Sequence, residues 1–286
     1  MLNKEFIRKL IILLQTSISI MLQRFFNMQY FEIKNKLLNY KNYIHIKKIY
    51  FIRNFNFKFL LRKKLHFIHP GRTGGTFIRQ CLIQLNNSKN KYHFNIYGHL
   101  FKLKHLGKNE SFFFTIRNPI NRFVSAFLSR QNRSKFETKK KSEEIKKYKI
   151  SEKENESFKN FSNANHLAES FFSDDIEIKN KAHSAMENIK HINDPYTNYF
   201  SKEKLIERKP IFVLETEKLD SDFSELCKKL KLEKTELPLE ENIVNQSNYF
   251  YNIELSKKAI SNLKKWYKND FDLYHFILEN KKKFNS

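Results

Sequence analysis

The sequence predicts an α/β protein, a central parallel sheet with helices on both faces, preceded by a helical N-terminal extension. Three observations carry this. Short apolar runs at residues 65–69, 112–116 and 211–214 have the length of strands. Each is followed by apolar positions at helical spacing. Strands that alternate with helices pair in parallel, because the helix carries the chain back across the sheet. Composition permits such a core: of 286 residues, 40% are hydrophobic and 15% aromatic, which excludes the low-hydrophobicity class that stays disordered.

Residues 1–62 are basic, with Leu10, Leu13 and Leu14 at helical spacing and none of the motifs discussed below. They are expected to form an accessory helical extension to a main domain over residues 63–286. The apolar stretch 10–22 contains Gln15, Thr16, Ser17 and Ser19 and falls short of the about 20 apolar residues that span a bilayer. With Lys4, Arg8 and Lys9 before it, the segment 5–25 suits weak association with a membrane surface. Two cysteines, Cys81 and Cys227, make no disulfide framework and no metal site of usual spacing, which points to a reducing, cytoplasmic setting, with membrane association through the N-terminal segment as the alternative.

The main domain begins with a strand at 65–69 that ends at Pro70 and a glycine cluster. A helix follows, with Phe77, Ile78, Cys81, Leu82 and Leu85 at spacings of three and four. The run 112–116 is apolar or β-branched throughout, as in a strand covered on both faces. Arg117, Asn118 and Pro119 end it, and Ile120, Phe123, Val124 and Phe127 mark the next helix, with proline in the first turn. Residues 130–160 are dominated by Lys, Glu, Ser and Asn and are expected to be a mobile loop or an exposed helix. Helices are expected at 164–172 and 176–192, then the strand 211–214, a helix at 221–230, and an amphipathic helix with Leu255, Ala259, Leu263 and Trp266 in register. No repeat is evident.

The candidate chemistry lies in two loops that follow strands, where ligands of such sheets bind. In His69-Pro70-Gly71-Arg72-Thr73-Gly74-Gly75-Thr76, glycines let backbone approach a ligand. The helix that follows turns its free N–H groups toward the loop, and Thr73 and Thr76 add hydroxyls. This is an anion-binding loop with a permanent cation, Arg72, at its centre. Three of the five glycines in the chain fall within it. In Arg117-Asn118-Pro119-Ile120-Asn121-Arg122-Phe123-Val124-Ser125, Arg117 sits at a strand end and Ser125 lies two turns into the helix, able to face the same loop. Arg122 adds charge or braces the loop. The nucleotide-triphosphate signature G-x-x-x-x-G-K-[ST] is absent, which counts against a nucleotide kinase. The formal charge of +24 invites a nucleic-acid or membrane binder, yet Lys, Asn, Ile and Phe are abundant together. Much of the charge therefore reads as a solvated lysine surface, and no specific nucleic acid is expected.

The first loop, Phe67-Ile68-His69-Pro70-Gly71-Arg72-Thr73-Gly74-Gly75-Thr76, resembles the F-I-H-I-P-K-T-G-G-T signature of carbohydrate-type sulfotransferases. The second resembles their R-[DN]-P-x-x-R-x-x-S motif, and the two occur in the family's order. Later segments, Phe212 to Leu219, Asp222-Phe223, Asn245-Gln246-Ser247 and Asp270-Phe271, are similar to the family's later elements, so the resemblance covers roughly residues 65–278. It implies a P-loop NTPase-like sulfotransferase fold and transfer of a sulfuryl group from 3′-phosphoadenosine-5′-phosphosulfate, the co-substrate, with no metal. It further implies that Gly71, Arg72, Thr73, Gly74, Gly75, Thr76 and Phe77 hold the 5′-phosphosulfate, and that Arg117 and Ser125, with Arg122 nearby, hold the 3′-phosphate. Arg72 stands where the family has lysine, so a planar guanidinium takes the place of an ammonium.

Sulfuryl transfer needs a base to take the proton of the attacking hydroxyl. His99, in Tyr97-Gly98-His99-Leu100, is the first candidate, because the family often has a Gly-His after the second strand and imidazole titrates near neutral pH; His191 is the second and Glu110 the third. His69 reads as a buried support. The implied acceptor is a glycan or glycolipid hydroxyl, contacted from residues 130–160 and the 164–195 helices. A kinase with a degenerate loop and a noncatalytic basic binder are the alternatives.

Overall fold

In the computed structural model, four strands, β1 (Lys63–Ile68), β2 (Tyr92–Ile96), β3 (Phe112–Ile116) and β4 (Phe212–Glu215), form an all-parallel sheet of order β2-β1-β3-β4. The structure describes residues 44, 62–137, 150–232 and 254–286. The central strand β3, Phe-Phe-Phe-Thr-Ile, is buried along its whole length, as a strand with neighbours on both edges and helices on both faces must be. Lys63 and Lys64 mark the solvated entry of β1, whose remaining residues are buried.

Nine α-helices are described: α1 (Gly75–Asn87), α2 (Pro119–Glu137), α3 (Glu152–Asn160), α4 (Ala164–Ser170), α5 (Ile176–Asn188), α6 (Lys202–Glu207), α7 (Leu219–Leu230), α8 (Lys257–Trp266) and α9 (Lys268–Asn285). Alternate strand residues Leu65, Phe67, Phe94, Phe113, Phe212 and Leu214 point to one face. They form a core there with Ile78, Leu82 and Leu85 of α1 and Phe223 and Leu226 of α7. On the opposite face Phe114 packs on Phe200, ring centroids 4.3 Å apart, and α9 is tied to β4 where Asn285 Oδ1 accepts the Val213 N–H at 2.8 Å. A second core joins α2, α4, α5 and α8 through Phe123, Phe127, Leu167, Phe171, Met186 and Leu263.

The α/β class, the parallel sheet and the loop positions agree with the sequence reading. The strand β2 does not figure in it, since Tyr-His-Phe-Asn-Ile is half polar and only its Phe94 and Asn95 are buried. The helix expected over 176–192 stops at Asn188. Of the two expectations for residues 130–160, a mobile loop or an exposed helix, the described residues are mostly helical: α2 continues to Glu137 and α3 spans Glu152–Asn160, and residues 138–149 lie outside the described residues. Arg130 and Glu154, at the two ends of this charged stretch, form a buried two-pronged pair, Nε to Oε1 at 2.6 Å and Nη2 to Oε2 at 2.7 Å. Glu154 Oε1 also accepts the Lys190 N–H at 3.1 Å. The N-terminal extension, apart from Ile44 and Arg62, the membrane-surface segment 5–25, and Asn245-Gln246-Ser247 lie outside the described residues. Among the described residues no helix is long and apolar enough to cross a membrane.

Strand order places the reversal of the chain between β1 and β3. From β1 the chain moves outward to β2, and from β3 it moves the other way to β4. The crevice beyond the carboxyl ends of β1 and β3 is therefore the expected ligand site of this topology.

Removing one partner of a buried, hydrogen-bonded ion pair leaves the other charge uncompensated. Glu154→Ala is expected to lower unfolding free energy by about 3–5 kcal/mol in urea titration; a loss typical of an exposed pair would place Arg130 in solvent.

Candidate active site

The loop after β1 enters α1 through Gly74, whose φ of 76° is left-handed. No side chain caps α1 and no acidic residue occupies its first turn, whereas Ser151, Asn163, Asp175, Ser201 and Ser256 cap α3, α4, α5, α6 and α8. The first-turn N–H groups of α1, which have no partner within the helix, thus face the loop without a protein acceptor from a capping side chain. That is the arrangement of an anion site. Thr76 is exposed beside them, while Phe77 is partly buried against the sheet core and offers a ligand only its backbone.

Thr73 departs from expectation. Its side chain is fully buried, and its hydroxyl lies 2.8 Å from the Pro70 carbonyl and 2.7 Å from Thr115 Oγ1. The hydroxyl braces the turn from inside and has no proton left for a ligand. Arg122 is likewise turned inward. It is 4% exposed; its Nε donates to the Gly71 carbonyl at 2.9 Å, and its Nη2 to the carbonyls of His191 at 3.2 Å and Asp194 at 2.6 Å. Asp270 lies 3.8 Å from its Nη1, and the Tyr196 ring lies under it at 4.7 Å. Of its two expected roles, bracing is the one this geometry fits.

Arg72 and Arg117 converge. Arg72 adopts φ 69°, a strained conformation for a residue with a side chain. Its Nε and Nη2 donate to Ser125 Oγ at 3.2 and 3.0 Å, and Arg117 Nη1 donates to the Arg72 carbonyl at 3.4 Å. One network therefore joins the two loops across the crevice. Burial, then the neighbouring Arg117 and Arg133 guanidiniums, push Arg72 down to about 10. Arg117 is also lowered, chiefly by burial, with Glu217 opposing the shift. Glu217 lies 3.9 Å from Arg117 Nε and accepts from the Asn118 N–H and Asn121 Nδ2. Tyr196 fixes the same loop: its hydroxyl donates to the Arg117 carbonyl at 2.6 Å and accepts the Arg117 N–H at 3.0 Å.

Beside the first loop stand three imidazoles in a row. The rings of His69 and His99 meet edge to face at 4.6 Å, and those of His99 and His191 at 5.0 Å. The glycines admit them. A Cβ at Gly71 would sit 2.2 Å from His191 Nδ1, and one at Gly75 would sit 2.3 Å from His69 Nδ1. Each ring with a carbonyl partner has its proton assigned by it. His99 Nδ1 lies 3.2 Å from the His69 carbonyl, so Nδ1 carries hydrogen and Nε2 holds the lone pair. His69 Nε2 lies 2.9 Å from the Tyr97 carbonyl and is the protonated nitrogen of that ring. Burial lowers all three, His69 to about 3, His191 to about 2, and His99 below the ordinary imidazole value. His99 is therefore the neutral, proton-accepting form at neutral pH. His191, like Arg72, has a left-handed φ of 72°.

The third candidate base does not join this group. Glu110 precedes β3, at the amino end of the sheet, where it lies 3.7 Å from His66 Nε2. Conversely, Tyr199 and Asp194 were not singled out by any motif. The Tyr199 hydroxyl lies between two acceptors, the His99 carbonyl at 2.7 Å and the Asp194 carboxylate, which share its single proton. Asp194 in turn lies 3.5 Å from Lys102 Nζ.

The model of the Sulfotransferase family matches residues 55–277, most of the chain. Neither a curated protein nor a solved structure matches it.

The buried imidazoles make stability sensitive to acid. His66 and His69 are held at about 3 and His191 at about 2, against 6.5 in an ordinary imidazole. Between those limits the unfolded chain binds protons that the folded chain refuses, so stability falls as pH drops below about 6.5, by at most about 1.4 kcal/mol per pH unit for each fully buried group. A melting temperature that stays level from pH 7 to pH 5 would contradict this burial.

Proposed function

Because the chain belongs to the sulfotransferase family, we propose that it transfers the sulfuryl group of 3′-phosphoadenosine-5′-phosphosulfate to a carbohydrate hydroxyl. The observation that carries this reading is the meeting of the Arg72 and Arg117 loops over Ser125. It brings two guanidiniums and an uncapped helix terminus to one crevice, which suits a nucleotide charged at both ends. The donor supplies an activated sulfuryl group whose leaving group is a phosphate oxygen.

The residues divide that work between them. The backbone N–H groups of Gly74, Gly75, Thr76 and Phe77 receive the phosphosulfate oxygens, and Thr76 adds its hydroxyl. Arg72 supplies fixed positive charge where negative charge grows on the leaving oxygen. Arg117 and Ser125 hold the far phosphate. His99 Nε2 takes the proton of the attacking hydroxyl, while Nδ1–H stays on the His69 carbonyl and keeps the ring in the accepting tautomer. Its neighbour His191, wedged over Gly71, is the alternative base.

The acceptor side lies toward His99 and His191, where Lys190 acts electrostatically on both rings and Lys102 is held by Asp194. A glycan or glycolipid hydroxyl fits this polar, cationic approach. In-line transfer breaks one S–O bond and forms another, and the proton passes to imidazole.

The deciding experiment uses radiolabelled sulfate donor with a glycan panel, beside thermal shift with nucleotides. Adenosine 3′,5′-bisphosphate is expected to stabilise the fold more than ATP does; equal stabilisation would favour a kinase. Arg72→Ala is expected to lower kcat/KM by about 10²–10³-fold, and Arg117→Ala to weaken donor binding chiefly. Wild-type rates in both variants would defeat the assignment. His99→Ala should lower kcat by about 10²–10⁴-fold with donor affinity retained, and unchanged turnover would move the base to His191.

A further inference from the structure

The candidate base sits in an open turn of the chain. His99 follows Gly98, where an added Cβ would meet nothing within 4 Å, and precedes Leu100, which is 56% exposed. Its ring is tied to the His69 carbonyl. Aiming a ring also requires that its own peptide be fixed, since a misplacement of about 1 Å can cost about 10²-fold in rate. Two residues outside both loop motifs supply that hold. The buried Tyr199 brings its hydroxyl to 2.7 Å from the His99 carbonyl, and the Asp194 carboxylate bonds the same hydroxyl. Burial, and then Asp194, raise the Tyr199 phenol above its ordinary value, so it keeps its proton at neutral pH. Asp194 is fixed in turn: Asn198 Nδ2 donates to its Oδ1 at 2.9 Å, Lys102 Nζ lies 3.5 Å from that oxygen, and its carbonyl accepts Arg122 Nη2 at 2.6 Å. The Leu103 N–H donates to the Tyr199 carbonyl at 3.3 Å, so backbone and side chain both join the His99 turn to the segment 194–199.

Charge follows the same division. His99 is lowered chiefly by burial; the His69 carbonyl opposes this, Lys190 and Arg122 add to it, and Asp194 opposes it. On His191, burial is joined by His99, Arg72, Lys190 and Arg122, all of which lower it. The carboxylate thus counters at His99 cations that bear on both rings.

We propose that Tyr199 and Asp194 are positioning residues for His99: the shared hydroxyl holds the peptide of the base so that Nδ1–H stays on the His69 carbonyl and Nε2 stays free for the acceptor hydroxyl, and the carboxylate offsets the charge that the ring gains with the proton. The proposal rests on the reading of His99 as the base of a sulfuryl transfer and extends that reading to a pair outside the two loops.

Proton–nitrogen correlation spectra of the imidazoles, recorded on the full chain with adenosine 3′,5′-bisphosphate bound, test it in wild type, Tyr199→Phe, Asp194→Asn and Asp194→Glu, with His99→Gln to assign the signal. At pH 7 wild type is expected to show His99 as the Nδ1–H form and Tyr199→Phe a mixture of both tautomers, with His191 unchanged. On titration from pH 7 downward, Asp194→Asn is expected to protonate at His99 later than wild type, and Asp194→Glu to recover part of the difference. Lys102→Met, which removes the cation beside Asp194, should move the midpoint the other way. Transfer of label from the sulfate donor to the glycan panel is expected to fall about tenfold in Tyr199→Phe and Asp194→Asn, through kcat, with bisphosphate affinity retained. A His99 ring unchanged in tautomer and in titration by both substitutions overturns the proposal, and so does a matching loss of bisphosphate affinity, which marks a general structural role. Wild type that still prefers the bisphosphate to ATP keeps the donor reading in either case; wild type without that preference removes the donor reading, and this proposal with it. If Asp194→Asn fails to fold, Tyr199→Phe and Asp194→Glu decide by the same spectra.

Discussion

The site depends on one buried guanidinium. Arg122 holds the carbonyls of Gly71, His191 and Asp194 at once, with the Tyr196 ring beneath it and Asp270 alongside. It thereby joins the anion loop, the helix of the second motif and the segment that carries His191. Burying a charge costs several kcal/mol unless its donors are met and a counter-charge is near, and here both conditions hold. Asp270 is itself pushed above the ordinary carboxylate range by burial, and it accepts the Tyr196 N–H with both oxygens. The second arginine of the motif therefore works as a structural post: it pins the residue before Arg72 and the segment leading to Tyr196, whose hydroxyl holds the Arg117 backbone.

Around that post, charge is distributed unequally. Arg122 and Arg130 meet carboxylates inside the protein. Arg72 is lowered chiefly by burial and then by the guanidiniums of Arg117 and Arg133. The imidazole row is treated in the opposite way: burial removes its charge, so His69 and His191 remain neutral far into acid. Permanent cations and neutral imidazoles are thus kept side by side, the combination on which the proposed transfer would draw.

Much of this was legible in the sequence. Phe112–Ile116 and the glycine cluster announce themselves because a doubly covered strand and a close-approach loop restrict residue type strongly. Arg72, Arg117 and Ser125, named from the two loop motifs, lie in one hydrogen-bonded network, and His99 and His191, named as alternatives, stand ring to ring. What the sequence concealed depends on long-range partners. Thr73 turns inward because Thr115, forty-two residues away, meets its hydroxyl. Arg130 looks like part of a solvated charge run until Glu154 is brought against it. The strand β2 has too few apolar residues to signal itself, being held by pairing with β1. Tyr199 and Asp194 act through a backbone carbonyl and one another, and such second-rank support leaves no local pattern.

The wedge of His191 over Gly71 has an evolutionary corollary. The ring stands where any side chain at position 71 would have to go, so the glycine that keeps this turn bare also seats an imidazole from a distant segment. In descendants of this chain the two positions should covary: a bulkier neighbour at one demands a smaller ring at the other, so a change in the imidazole row would be drawn into step with the glycine turn beneath it.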